Sequence, residues 1–176
     1  MAKKLRSKTV SIKEPKTGFK KNVTVKTFEL PSGLVETYFI DNDKDSVEIC
    51  ALTKEKQILV VKQFRPGTET IETELPGGSL EPNEDKTKAA LRELREETGY
   101  TTDNMIHLAS VNYSPYSSGQ RHKFFARDCY RISKDLDLDP NENLTVKSMS
   151  LEEIGNLVKH GRLRGYDTVY LALGSL

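Results

Sequence analysis

Between Gly78 and Tyr100 the chain carries Glu81, Glu84, Asp85, Glu93, Glu96 and Glu97, and then Gly99. Glu93 and Glu97 stand one helical turn apart. On a helix their carboxylates project from neighbouring points and repel unless something positive sits between them. The acids follow a Pro76-Gly77-Gly78 turn, and no His or Cys stands close by in the sequence. Such an oxygen-rich set suits Mg2+ or Mn2+ far better than zinc. A hard divalent ion beside an exposed loop points to phosphate chemistry. The competing reading is a solvated acidic helix face with salt bridges to Arg92 and Arg95.

A helix has to position these acids. Thr87, Ala90, Leu91, Leu94 and Thr98 fall in one arc of the helical wheel, the stripe of a core-facing helix, with Glu93, Glu96 and Glu97 on a separate flank. Asn83 is the expected N-cap, Glu84 and Asp85 suit the positive end of the helix dipole, and Gly99 ends the helix in the left-handed conformation. Alternating, β-branched segments predict strands over 22–30, 34–40, 46–52, 57–63, 105–112 and 121–132. Turns are expected at Pro31-Ser32-Gly33, Asp41-Asn42-Asp43 and Lys54-Glu55-Lys56. Ser150 and Glu153 form a capping box for a helix over 150–159, and a third helix is expected from about Tyr166. Strands on both sides of the acidic helix, with a late helix, give an α+β sandwich without internal repeats.

The chain has 176 residues and a formal net charge of +1. That length holds one well-buried core plus an appendage, and the charge balance gives no global field for nucleic acid. Lysines and Arg6 crowd the first 21 residues against Glu14 alone, a run read as a solubilising or mobile end rather than an RNA clamp. Cys50 and Cys129 are two thiols outside any Cys-x-x-Cys pair, so they are expected as small core residues. No apolar run is long enough to span a bilayer, and no signal-type apolar segment follows the basic start. The expected location is the cytoplasm, with no membrane contact.

Gly78, Glu84, Arg92, Glu93, Leu94, Glu96, Glu97 and Gly99 stand in the register of the Nudix box, which the segment closely resembles; Tyr100 departs from it, an aromatic where the box has an aliphatic residue. Eight prescribed positions over 23 residues make the match specific. The resemblance implies the Nudix fold, an α/β/α sandwich around a mixed sheet. It covers about residues 45–174, giving a hydrolase domain over 45–176 and an extra N-terminal antiparallel strand region over 1–44. That region, with Val60 to Pro66 and Glu74 to Gly78, is similar to the ADP-ribose pyrophosphatase branch, which cleaves nucleoside diphosphate sugars. Members of that branch commonly dimerise through their N-terminal strands, so a homodimer is implied.

By the same resemblance Glu93, Glu97 and the Gly77 carbonyl would be metal ligands, with Glu96 a further ligand or a water-mediated contact. Arg92 would orient the neighbouring carboxylates, and Glu84 would be a helix N-terminal charge. Arg65 is either a surface ion pair or a clamp for phosphate or ribose. Phe28 and Tyr38 are candidates to stack on a base or to pack in the dimer, and Pro115 marks the loop that ADP-ribose cleavers carry beyond the box. The branch places its catalytic base there as a Glu, yet no acid stands between Asn112 and Arg127. Either Gln120 positions a water already activated by metal, or a carboxylate arrives from elsewhere: Glu142 first, Glu96 second. His122 is read as strand surface. The expected activity is Mg2+-dependent cleavage of ADP-ribose or a related nucleotide sugar to a nucleoside monophosphate and a sugar phosphate. An RNA 5′-pyrophosphohydrolase and a non-catalytic nucleotide sensor are the alternatives.

Overall fold

The computed structural model describes residues 1–13, 20–138 and 143–175, and the chain divides into two compact units. The first unit comprises Met1–Asp45 with Val111–Arg121. Here β1 (Lys3–Lys13), β2 (Lys20–Glu29) and β3 (Val35–Asp41) form an antiparallel sheet in that order. Within the basic end, read as solubilising or mobile, Lys3–Lys13 is therefore a strand. Its β-branched residues and its cross-strand pairs outweigh its charge: Thr9 Oγ1 lies 2.9 Å from Thr24 Oγ1, and Ser11 donates to Asn22 Oδ1 at 2.7 Å. Gly33, at φ 81°, supplies the positive φ that the β2–β3 turn needs.

The loop from Ser114 to Gln120 is laced onto the end of β3 within this unit. Asp41 N donates to Tyr116 O at 2.8 Å, and Ser118 N donates to Asp41 O at 2.9 Å. Ser117 Oγ donates to Asp43 at 2.7 Å, and Gln120 N donates to Asp45 Oδ1 at 2.8 Å.

The second unit, Ser46–Ser110 with His122–Leu176, is built on a mixed sheet, eight-stranded among the described residues. Its strands are β4 (Ser46–Thr53), β5 (Gln57–Arg65), β6 (Thr70–Glu74), β7 (Tyr100–Thr101), β8 (Asn104–Asn112), β9 (Gln120–Arg131), β10 (Leu144–Ser150) and β11 (Leu163–Arg164). The order is β11-β6-β5-β4-β9-β7, with β10 on β5 and β8 on β9. Strand β5 carries β10 along one edge and shares the other between β4 and β6.

Alternation along β4 explains the layers. Val47, Ile49 and Ala51 pack with Phe124 against Ala89, Ala90 and Leu94 of α1 (Lys86–Thr98). Cys50 and Leu52 turn to the other face, with Phe125, Ile154 of α2 (Leu151–Lys159) and Val169 of α3 (Tyr166–Leu173). The sheet is thus sandwiched between helices, as the box implies. Both cysteines are fully buried, and burial pushes each thiol pKa up to about 12. Among the described residues no helix is long and apolar enough to cross a membrane.

Candidate active site

The acidic helix α1 starts two residues later than expected. Its N-cap is Asp85, whose carboxylate accepts from Thr87 N at 2.9 Å and Lys88 N at 3.1 Å. Asn83 instead adopts φ 63°, and Glu84 is drawn away toward Arg92. Gly99, at φ 72°, closes the helix as expected. The flank is not solvated: Glu93 is 8 % and Glu97 2 % exposed. On the same helix the small Ala89 and Ala90 pack with Leu94 against β4.

Both carboxylates rest on the glycine turn. Gly77 N donates to Glu97 Oε2 at 2.7 Å. A Cβ on Gly77 would overlap the backbone oxygen of Val47, so only glycine fits there, and one on Gly78 would displace the Glu93 carboxylate. Strand β4 holds the turn in place, with Val47 N donating to Gly78 O and Ile49 N to Pro76 O, each at 2.9 Å. The Gly77 carbonyl takes part in neither bond.

Arg92 is the positive charge among the acids. Its Nε and Nη2 fork onto Glu84 at 2.9 Å each, its Nη1 lies 2.9 Å from both Glu93 Oε1 and Glu96 Oε2, and Nη2 donates to Ser79 O at 3.1 Å. The Glu84 bond chiefly raises the Arg92 pKa, and the guanidinium in return holds the Glu84 carboxyl below the usual range. Glu84 is thus a partner of Arg92 as well as a charge near the helix start. Among the described residues no three carboxylate, imidazole or thiolate side chains converge as a ready metal cage. The side chains that meet the glycine turn are nevertheless both carboxylates, Glu93 and Glu97, and oxygen donors fit in kind a hard divalent ion.

Arg65, at the end of β5, spends Nε and Nη2 on buried Glu74 at 2.5 and 2.7 Å. The ion pair is made with a buried partner rather than at the surface, and that bond chiefly raises the Arg65 pKa, with Glu97 adding a smaller pull. Four predicted residues belong to the first unit. Phe28, Tyr38 and Pro115 line a cavity of about 350 Å³ together with Lys26 and Tyr116. Phe28 meets Tyr38 edge-on at 6.0 Å, and Tyr38 stacks on Tyr116 at 6.2 Å. Tyr116 escaped the sequence reading, although an aromatic directly after Ser114-Pro115 was a visible signal. The Gln120 side chain donates to Asn112 Oδ1 at 3.2 Å. Glu142 lies outside the described residues. His122 is buried rather than on the strand surface, its Nδ1 2.7 Å from Ser110 Oγ.

Known proteins agree with this architecture. The NUDIX domain model matches residues 43–169. An ADP-ribose pyrophosphatase of Bacillus subtilis is 32 % identical over 96 % of this chain and 91 % of its own length. A methanol dehydrogenase activator of Bacillus methanolicus is 31 % identical over 96 % of this chain and 92 % of its own. A crystal structure of an ADP compounds hydrolase superposes with a TM-score of 0.75 over 90 % of this chain and 83 % of that one. At 24 % identity that likeness speaks for the fold. With the glycine turn, the buried Glu93 and Glu97 and a family model spanning most of the sequence, the chain belongs to the Nudix hydrolase family.

Proposed function

We propose that this Nudix hydrolase cleaves the pyrophosphate bond of ADP-ribose or a related nucleoside diphosphate sugar with Mg2+, releasing a nucleoside monophosphate and a sugar phosphate. The observation that carries the reading is the convergence of buried Glu93 and Glu97 on Gly77-Gly78. The name of the Bacillus subtilis relative supports the substrate class. Nudix hydrolases generally use divalent metal ions, and Mg2+ is the hard ion that this donor set suits.

Glu93, Glu97 and the Gly77 carbonyl would hold the ion, with Glu96 as a further ligand or a water-mediated contact. When bound, the ion supplies charge neutralisation on phosphate oxygens and a lowered pKa for a coordinated water. Arg92 keeps Glu93 and Glu96 oriented through its shared Nη1. Glu74 fixes the plane of Arg65 and leaves Nη1 outside the fork, where a phosphate oxygen would be met. Phe28, Tyr38 and Pro115 offer an aromatic-walled cavity for a base. Gln120 would orient a water rather than deprotonate it, since an amide has no basic form at neutral pH. Glu142 and Glu96 are the carboxylates to test as general base. Removal of the true base lowers the rate and erases the acid limb of the pH profile.

A homodimer through the N-terminal strands belongs to the same proposal. Strands β1 and β3 are the edges of their sheet and expose Leu5, Ile12 and Phe39. Light scattering on the intact chain and on a variant lacking β1 tests it.

The test of activity is incubation with Mg2+ and ADP-ribose, ADP-glucose, GDP-mannose or a triphosphorylated RNA, with products identified by mass. Nucleoside monophosphate and sugar phosphate that vanish in Glu97→Gln are the expected result. Binding without turnover, or turnover untouched by that substitution, overturns the reading.

A further inference from the structure

Lys123 of β9 is 2 % exposed. Its Nζ lies 2.7 Å from Asp167 Oδ2, 3.0 Å from Thr168 Oγ1 and 3.5 Å from Glu48 Oε1. Thr168 Oγ1 also donates to Glu48 Oε1 at 3.2 Å. Glu48, at 7 % exposure, is nearly as buried as the lysine. Burying such charges costs about as much as their attraction returns, so a pair of this kind is weak evidence for stability and invites the question of what it fixes.

Its place on β4 answers that question. On the α3 side of the sheet the Glu48 carboxylate is gripped by Lys123 and Thr168 and packs under Gly165, where a Cβ would stand 2.5 Å from Oε2. Gly165 is at φ 87° and opens α3, so that contact also places the carboxylate at the positive end of the helix. On the edge of β4, the residues flanking Glu48 are the two that hold the glycine turn, Val47 to Gly78 and Ile49 to Pro76. Gly77 lies opposite Glu48 between those bonds, so close that a Cβ on it would stand 3.0 Å from Glu48 Cα. A shift of Glu48 therefore moves the backbone that presents the Gly77 N–H to Glu97.

We propose that Glu48 is a positioning residue for the metal-holding turn: its buried pairing with Lys123 on one face of the sheet sets where Gly77 lies at the edge. The inference rests on the reading of Gly77, Glu93 and Glu97 as the metal site. It assigns no contact between Glu48 and substrate or metal. Glu48 acts through the β4 backbone, as outer partners of metal ligands act through the groups they orient.

Direct Mn2+ binding, followed by the electron paramagnetic resonance of the free ion, tests this alongside thermal unfolding. Glu48→Gln should weaken Mn2+ binding on the order of tenfold, the scale of losing an outer partner. Asp167→Asn takes the closer charged partner from Lys123 but stands on α3, so it should lower the melting temperature and leave Mn2+ affinity unchanged. Should Glu48→Gln fail to fold, the double variant Glu48→Gln/Lys123→Met removes the charges together, avoids a stranded lysine, and should fold with the same weakened affinity. Wild-type affinity in the folded Glu48 variants overturns the proposal, as does equal weakening by Asp167→Asn. Glu97→Gln should abolish binding, and if it binds Mn2+ as the wild type does, the metal reading of the turn itself has failed.

Discussion

Helices α1 and α2 are both capped by a short polar side chain and both carry paired glutamates, yet they use those glutamates in opposite ways. In α2, Glu153 is spent on its own helix end: its carboxylate accepts from Ser150 N at 2.7 Å, while Ser150 Oγ accepts from Glu153 N at 3.2 Å. In α1 the cap is left to Asp85, and Glu93 and Glu97 turn into the protein against a glycine turn. Local hydrogen bonding can absorb an acid at a helix start. An acid two turns further in, facing small residues, must find a partner in the fold or a cation.

The largest test of that contrast is Glu97→Gln. Turnover with Mg2+ should fall on the order of a thousandfold, the scale of deleting one preorganised electrostatic group. Glu152→Gln on α2 should leave the rate alone. Steady-state assays of both decide it, and equal losses would erase the distinction between the helices.

Arg92→Met comes next. It strands three carboxylates, and melting should show a loss of about 2 kcal/mol, below the roughly 3–5 kcal/mol of a fully buried pair because Arg92 is 21 % exposed. Added Mg2+ should raise the melting temperature of this variant more than that of the wild type, since the ion takes over the missing charge. An absence of such metal rescue would separate Arg92 from the metal site.

Cap removal is smaller and should be even-handed. Asp85→Ala and Ser150→Ala should each cost about 1 kcal/mol in denaturant unfolding. Only the first touches the helix that bears the site, so any change in half-saturating Mg2+ should be confined to it.

The smallest effect is the acid response of the α2 cap. The Ser150 backbone bond, helped by its hydroxyl, holds the Glu153 carboxyl below its usual range. A depressed folded-state pKa contributes stability above the unfolded value of about 4.3, and that contribution is lost as pH falls through the folded value. Melting temperature against pH should therefore show a slightly shallower acid slope in Glu153→Gln, and an unchanged slope would remove the cap bond from the account.

What could be read from the sequence follows the range of the forces involved. The Ser150-Glu153 box and the Gly99 stop were legible because their partners lie within one turn. The start of α1 was misplaced because Arg92, eight residues away, recruits Glu84 and so shifts the cap to Asp85. Glu93 and Glu97 were recognised by their spacing, but their burial depends on the Pro76 to Gly78 turn, which β4 holds from far along the chain. Strand β1 was hidden by its lysines, since an edge strand solvated on its side chains lacks the apolar alternation that marks a half-buried one. Lys123 was unreadable for the opposite reason. A lysine inside a strand pattern signals a solvent face, and only the meeting of Glu48, Asp167 and Thr168 lets it turn inward.

The two buried cysteines give the molecule a built-in clock. At neutral pH almost none of either thiol is thiolate, and both sit on strands that frame the core, Cys50 on β4 and Cys129 on β9. A soluble alkylating reagent can reach them only when those strands part, so the labelling rate counts large openings rather than loop motion. Any ligand that binds the native state in preference to the opened one should slow that count in proportion to its occupancy. Ligand recognition could then be screened by mass shift alone, without waiting for product.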